Sequence, residues 1–210
     1  IRPIIRGRDI KRYGYEWADL WLIATFPSRH YDIEEYPAVK TYLLSFGIER
    51  LEQTGKKYVI NGEEVKARKK TNNKWFETQD SINYWQDFLK PKIIWKRVGS
   101  ILRFGYNDNG ALGLDSTCFA TGKQIEYLCC VLNSPMGHYL LKDSPKTGTG
   151  DLLISVQAVE PIKVPLINEE ENSKFKNLFK THQENEINRE VYELYNLSEE
   201  EIKFIMDNYY

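Results

Sequence analysis

The chain has 210 residues, of which 41% are hydrophobic and 28% are charged, and its formal net charge at pH 7 is −1. These proportions supply a core for a globular domain, and no run of about 18 apolar residues is present that could span a membrane. The first residues include Arg2, Arg6 and Arg8 where a secretory signal is apolar, so the sequence predicts a cytoplasmic protein. Because the chain begins at Ile1 and not at Met, we expect it to be part of a longer polypeptide.

The first half of the chain predicts a strand, a helix and a hairpin in that order. Residues 20–26 (LWLIATF) form a short apolar run of the kind found in buried strands. A Tyr-Pro pair at 36–37 suits a helix start, and apolar residues then recur at helical spacing until Gly55. That stripe consists of Val39, Leu43, Phe46 and Leu51. The Asn-Gly pair at 61–62 favours a type I′ hairpin turn, because both central residues of that turn take positive φ.

The middle of the chain predicts an antiparallel β-meander. Residues 92–98 (KIIWKRV) and 101–106 (ILRFGY) read as strands joined by a tight turn. The Asn-Asp-Asn-Gly sequence at 107–110 then turns the chain into a third strand over 111–120.

Helices follow the meander. Thr121 with Gln124 predicts a capping box for one helix, and Ser134 before Pro135 predicts the start of a second one that runs to Leu141. A final strand is expected over residues 152–156, and the two prolines of EPIKVPLI then interrupt regular structure.

The C-terminal region has a different composition. Residues 169–195 carry an apolar stripe at helical spacing, and Ser198 with Glu201 predicts a capping box for a last helix. The stripe consists of Phe175, Leu178, Phe179, His182, Ile187, Val191 and Leu194. The sequence therefore predicts an α+β fold, an antiparallel or mixed β-sheet with peripheral helices over 1–167, followed by a C-terminal helical hairpin over 168–210.

Charge is distributed unevenly along the chain. Residues 1–97 hold 19 Lys and Arg against 13 Asp and Glu, whereas residues 98–210 hold 10 against 17. The positive charge is densest at Lys56, Lys57, Lys66, Arg68, Lys69, Lys70 and Lys74, which flank the predicted hairpin. Such a local excess attracts phosphates, although a solvated loop has the same composition.

Catalytic motifs are missing from the chain. The Gly/Thr loop KTGTGD at 146–151 lacks the Gly-Lys-Ser/Thr ending of a phosphate-binding loop, and the three histidines have no ligand-spaced partners. The cysteines, Cys118, Cys129 and Cys130, form no Cys-x-x-Cys pair and are expected to be reduced core residues. We therefore expect no catalytic residue, metal or cofactor in this part of the protein.

Five stretches in order resemble the TaqI-like C-terminal specificity domain of type IIG restriction-modification enzymes and adenine-specific DNA methyltransferases. They are IRPIIRGRDIKRYGYEW (1–17), YPAVKTYLLSF (36–46), KWFETQDSINYW to KPKIIW (74–95), LDSTCFATGKQIEYLCCVLNSPMGHYLL (114–141) and ISVQAVEPIKVPLI (154–167). The tail EINREVYELYNLSEEEIKFI is similar to the closing helices of such enzymes. VINGEEVKARKKTNNK looks longer than in relatives, and DSINYW stands where they often have an Arg-containing phrase.

The resemblance implies a target recognition domain that reads double-stranded DNA. A methyltransferase domain of the parent chain, and in type IIG enzymes a nuclease domain, would carry the chemistry with S-adenosylmethionine and Mg²⁺. An alternative is a protein-interaction module, like a type I specificity subunit, whose helical tail docks onto a methyltransferase partner. The recognised DNA sequence cannot be read from the resemblance.

The predicted nucleic-acid-binding residues fall into two groups. Gln79 and Asn83 carry the paired donor and acceptor that match the major-groove edge of adenine, and Lys70 and Lys74 suit phosphate or guanine. The other members, expected mainly to position the duplex through phosphates, are Arg6, Arg8, Lys11, Arg12, Lys56, Lys57, Arg68, Lys69, Lys96 and Arg97. Arg6 and Arg8 have an alternative role as ion-pair partners of Asp9 or of a neighbouring domain. The rings of KWFETQDSINYW are expected to pack in the core rather than contact bases.

Overall fold

A computed structural model describes residues 1–210 and confirms the α+β class. The chain forms two compact units. The first unit comprises Ile1–Arg2 and Trp21–Gln86, and the second unit comprises Pro3–Leu20 and Asp87–Tyr210. None of the helices combines the length and the apolar character needed to cross a bilayer.

Short strands and short helices make up both units. The strands are β1 (Arg2–Ile5), β2 (Ile10–Lys11), β3 (Gly14–Tyr15), β4 (Trp21–Leu22), β5 (Lys57–Ile60), β6 (Glu63–Lys66), β7 (Lys92–Lys96), β8 (Val98–Gly99), β9 (Phe104–Asn107), β10 (Leu112–Gly113), β11 (Thr117–Thr121) and β12 (Leu152–Leu153). The α-helices are α1 (Pro37–Leu44), α2 (Ile48–Leu51), α3 (Ile125–Asn133), α4 (Pro135–Leu140), α5 (Val156–Val159), α6 (Glu169–Lys180), α7 (Glu184–Leu194) and α8 (Glu199–Tyr209). Four 3-10 turns cover Gly7–Asp9, Pro27–Arg29, Ile33–Glu35 and Trp85–Leu89.

The central sheet of the second unit has the order β11-β7-β9. All its pairs are antiparallel, and the register sets Trp95 opposite both Phe104 and Cys118. The predicted meander is wrong in its pairing order, because β11 lies beside β7 and not beside β9. The outer edge of β9 is already occupied, since the Phe104 carbonyl accepts hydrogen bonds from Tyr13 N and from the Asn133 side chain. The intervening β10 pairs in parallel with β1.

The C-terminal helices complete the core of the second unit. Three stripe residues of α6 and two of α7 are buried against α3 and the sheet, namely Phe175, Leu178, Phe179, Ile187 and Val191. The stripe is split between two helices because the chain turns at Thr181, with His182 at φ 53°. The capping box of Ser198 and Glu201 at the start of α8 is confirmed. The domain boundary at residue 167 stays a prediction.

Two other predicted elements of the second unit differ from expectation. The capping box of Thr121 and Gln124 is wrong, because Thr121 still pairs with Lys92 as the last residue of β11. Gln124 instead takes φ 54° at the start of α3, without a side-chain cap. The strand predicted over 152–156 ends after two residues, and Ser155 is the N-cap of α5. Ser134 caps α4 as predicted, its hydroxyl accepting from Gly137 N at 3.2 Å.

In the first unit, the predicted strand over 20–26 is largely wrong. Only Trp21–Leu22 (β4) forms a strand in this stretch, and Trp21 is 57% exposed. Thr25 makes irregular contacts instead of a ladder, since its hydroxyl donates to Phe76 O at 2.6 Å and its carbonyl accepts from Thr78 N. The predicted helix is interrupted at Gly47, whose φ of 87° lies outside the helical region, so that α1 and α2 are separate.

Candidate nucleic-acid interface

A two-stranded hairpin of the first unit carries the predicted basic cluster. Strands β5 and β6 are antiparallel from Lys57↔Lys66 to Ile60↔Glu63, and the turn has Asn61 at φ 52° and Gly62 at φ 84°. These positive φ values confirm the hairpin that the Asn-Gly pair predicts.

Most of the cations in and after this hairpin are free to meet an anion. Lys56, Lys66, Lys69 and Lys70 are exposed, and none of these side chains has an acidic or hydrogen-bonding partner. We call these four residues and Lys74 the hairpin lysines. The Lys74 ammonium is exposed and lies 5.6 Å from the centre of the Phe76 ring. Lys57 differs, because it pairs with Glu64 at 2.9 Å.

Arg68 binds the main chain of its own unit. Its guanidinium donates to Leu51 O at 2.8 Å, Trp75 O at 2.5 Å and Glu77 O at 2.8 Å. Burial lowers the pKa of this guanidinium from its ordinary value. The sequence predicts that Arg68 contacts phosphate, but in the structure its guanidinium binds three carbonyls on two separate segments.

The segment after the hairpin is fixed by its carbonyls. Every main-chain carbonyl from 74 to 81 accepts a hydrogen bond from a side chain of the first unit. The donors are Thr25, Ser28, Gln53, Arg68, Asn73 and Thr78. We call residues 74–83 the anchored loop. Apart from Thr78, the donors lie outside the loop, so most of the loop side chains are not used to fix its carbonyls.

Gln53 is the most buried of these donors. It is 5% exposed, and its Nε2 donates to Lys74 O at 3.0 Å and to Glu77 O at 2.9 Å. Its Oε1 accepts from the Thr71 hydroxyl at 2.7 Å. The sequence did not indicate this role of Gln53, because its hydrogen-bond partners lie 18 to 24 residues away and no local pattern predicts them.

The anchored loop exposes the two predicted base-reading residues. Gln79 and Asn83 are exposed, and neither side-chain amide has a partner within the chain. Asn73 Nδ2 donates to Gln79 O at 2.9 Å, so the main chain at this point is held while the side chain projects.

The rings of KWFETQDSINYW take several environments. Phe76 is buried, as expected for core packing, and Trp75 meets it edge-on at 5.6 Å between ring centres. Tyr84 is 53% exposed. Trp85 is half-buried under the Arg29 guanidinium, whose carbon lies 3.9 Å from the ring centre. The core explanation therefore accounts for only part of this aromatic stretch.

Three of the predicted cations of the second unit are bonded within it. Arg6 Nη2 meets Asp9 at 2.7 Å, and this hydrogen-bonded pairing lowers the pKa of the Asp9 carboxyl and raises the pKa of Arg6. Lys11 pairs with Glu16 at 3.2 Å. The Arg6–Asp9 pairing agrees with the alternative role proposed for Arg6 in forks of this kind.

Arg12 is the third bonded cation. It donates to Asn133 O at 2.8 Å and lies 5.1 Å from the centre of the Tyr210 ring. Burial lowers the pKa of its guanidinium, but Tyr13, Tyr210 and Glu184 together raise it above the ordinary value. Arg12 thus joins the start of the chain to α3 and to the C-terminus.

Other cations of the second unit remain available. Arg8, Lys96 and Arg97 are exposed and form no salt bridge or side-chain hydrogen bond, although the charge of Arg8 contributes to lowering the pKa of Asp9. Lys92, at the other end of β7, is fully buried and donates to Phe88 O at 2.7 Å and to Asn107 Oδ1 at 2.6 Å. Burial lowers the pKa of Lys92 to about 8, and both hydrogen bonds of its ammonium stay within the second unit.

Neither unit has the side chains of a metal centre. No group of three or more His, Cys, Asp or Glu residues is arranged to hold a metal ion. The three cysteines are free thiols, and burial raises the pKa of Cys130 to about 12. What the side chains offer is hydrogen bonding and positive charge.

A cluster of unpaired cations on one hairpin is a feature of nucleic-acid-binding domains. The family model of the TaqI-like C-terminal specificity domain matches residues 2–156, and the chain belongs to this family. It is therefore a specificity domain of the kind that recognises DNA sequence in restriction-modification enzymes. No curated protein matches the chain. Helices α6, α7 and α8 lie beyond the matched residues.

Proposed function

We propose that this chain reads double-stranded DNA as the target recognition domain of a type IIG restriction endonuclease or adenine-specific DNA methyltransferase. Methylation and cleavage would be carried out by other domains of the parent chain, which use S-adenosylmethionine and Mg²⁺. The parent would act in the cytoplasm. The observation that carries the proposal is the anchored loop, because eight successive carbonyls are fixed while Gln79 and Asn83 project.

The proposal divides the two kinds of contact between two sets of side chains. The hairpin lysines neutralise phosphates and so fix the register of the domain on the duplex. Gln79 and Asn83 each offer an amide that can bond adenine in a bidentate manner in the major groove. Arg68 and Gln53 act as positioning residues, since their side chains donate to carbonyls of the anchored loop.

Docking of the tail onto a methyltransferase partner was suggested by the apolar stripe of the tail, and that stripe is not available for docking. The apolar stripe of the tail is buried in the core of the second unit, with Phe175 at 1% and Ile187 at 0% exposed. A stripe that the chain itself covers cannot present that surface to a methyltransferase subunit.

Selection from a randomised duplex pool at low salt tests the proposal directly. The bound fraction is expected to be enriched in one short motif. Binding without enrichment, or no binding at 50 mM salt, would contradict the proposal that this chain recognises a DNA sequence.

Replacing Lys69, Lys70 and Lys74 together by glutamine is expected to weaken DNA binding and flatten its salt dependence. Each lost phosphate contact removes about 0.9 from the slope of log K against log salt, so three remove about 2.7. The control variant carries Lys123→Gln, Lys163→Gln and Lys180→Gln, which remove three exposed, unpaired charges elsewhere. If both variants give the same slope, the hairpin lysines do not contact phosphates.

Replacing Gln79 or Asn83 by alanine is expected to change the selected motif at one base pair and leave the salt slope unaltered. A lost bidentate amide contact costs about 1–3 kcal/mol of discrimination at that pair, whereas no phosphate contact changes. Asn72→Ala is the matched control, because Asn72 is an exposed amide just before the anchored loop with no partner of its own. An unchanged motif in both loop variants would exclude these amides from base recognition.

A further inference from the structure

Two cations of the second unit, Lys96 and Arg103, line one small cavity. The β7–β9 ladder ends at Trp95↔Phe104, where Lys96 is the last residue of β7 and Arg103 immediately precedes β9. Both side chains are exposed and line one small cavity together with Gly99 and Ile101. Neither has an acidic or hydrogen-bonding partner. Like charges that line one cavity repel each other, so the fold gains no stability from having both cations there.

Gly7 determines the path of the Lys96 side chain. A Cβ placed on Gly7 would lie 2.9 Å from Lys96 Cγ and 3.4 Å from Lys96 Cδ. At the far end, the Lys96 ammonium lies 3.7 Å from the position of a Cβ on Gly99. The stem of Lys96 therefore passes between two glycines, and any side chain on Gly7 would displace it.

The turn that carries Gly7 is itself fixed. The Arg6–Asp9 pair closes the 3-10 turn Gly7–Asp9, and Asp9 is 6% exposed. Arg8, on the same turn, is exposed and unpaired. The Arg-Gly-Arg-Asp opening thus combines a structural ion pair, a glycine against the Lys96 stem and one free cation.

We propose that Lys96 and Arg103 form a phosphate-binding pair for the backbone of duplex DNA, with Gly7 as the positioning residue. The inference rests on the proposed function and adds a backbone contact on the second unit, including Arg103, which lies outside the basic cluster of the sequence. An ammonium and a guanidinium at the same cavity offer donors that match the oxygens of one phosphate or of two successive ones. A bound anion would also offset the repulsion between the two cations.

The test uses a double variant of the full chain that carries both Lys96→Gln and Arg103→Gln. The control is a second double variant that carries Lys163→Gln and Lys180→Gln. The first variant is expected to lower the slope of log K against log salt by about 1.8. When salt rises from 50 to 200 mM, the factor by which its affinity falls is therefore about tenfold smaller than for the unmodified chain. Its midpoint of thermal unfolding is expected to equal or exceed that of the unmodified chain, because the like-charge repulsion is gone. If the two cations instead stabilise the fold, the double variant would have a lower midpoint of thermal unfolding than the unmodified chain.

Gly7→Ala tests the positioning role, alone and in the Lys96→Gln background. The added methyl group is expected to weaken binding in the unmodified chain and to have no effect once Lys96 is replaced. Equal effects in both backgrounds would show that Gly7 does not act through Lys96.

The outcomes separate this inference from the proposed function. If the hairpin variant lowers the salt slope and the Lys96/Arg103 variant behaves like its control, only the phosphate pair is overturned. If the unmodified chain binds no duplex at 50 mM salt, the proposed function fails, and the pair fails with it.

Discussion

Asn133→Ala is expected to lower the free energy of unfolding by about 2–4 kcal/mol, measured by urea denaturation. Asn133 is fully buried, its Oδ1 accepts from Phe104 N at 3.0 Å, and its Nδ2 donates to Phe104 O at 2.7 Å. The side-chain amide thus takes the place of a neighbouring strand at the edge of β9. Alanine leaves Phe104 N buried without an acceptor, which costs about 1–3 kcal/mol, in addition to the lost bonds.

Asn133→Asp distinguishes hydrogen bonding from packing, because its shape is nearly that of asparagine. At neutral pH a carboxylate oxygen would face the carbonyls of Phe104 and Cys129, so this variant is expected to be less stable than Asn133→Ala. Burial raises the folded-state pKa of such a carboxyl above its unfolded value, so its stability should rise as pH falls toward the unfolded pKa. A difference between the two variants that does not change with pH would contradict this assignment.

Arg68→Ala is expected to destabilise the first unit by about 3 kcal/mol. The substitution removes the donor to Leu51 O, Trp75 O and Glu77 O, and hydrogen bonds to charged groups contribute about 1.5–3 kcal/mol each before solvent exposure reduces them. Glu77 O keeps its bond from Gln53. Hydrogen exchange is expected to speed up first at the amides of the anchored loop, since that segment loses its attachment.

Arg68→Lys is the matched control, since it keeps the charge and loses the fork. One ammonium cannot reach three carbonyls on two segments, so this variant should be nearly as unstable as Arg68→Ala. In the duplex selection, both variants are expected to lose motif enrichment while keeping most of the salt slope, because the hairpin lysines are untouched. Full stability of Arg68→Lys would show that only the charge of Arg68 matters.

The sequence by itself determined the features that depend on neighbouring residues. Asn61-Gly62 fixed the hairpin, because few other pairs accept positive φ at both positions. Ser134 and Ser198 marked helix starts, since a cap bonds only two or three residues ahead. The ordered motifs likewise indicated the family that matches residues 2–156.

Tertiary structure alone decided which of the predicted cations are free and which are bonded. Arg68 and Arg12 look like Lys70 in the sequence, but their donors bind carbonyls that lie up to 121 residues away. The order of the central sheet, the burial of the tail stripe and the presence of Lys96 and Arg103 at one cavity likewise depend on how the chain packs. The physical reason is that a buried polar group must find a partner wherever packing leaves one, and sequence spacing does not carry that information.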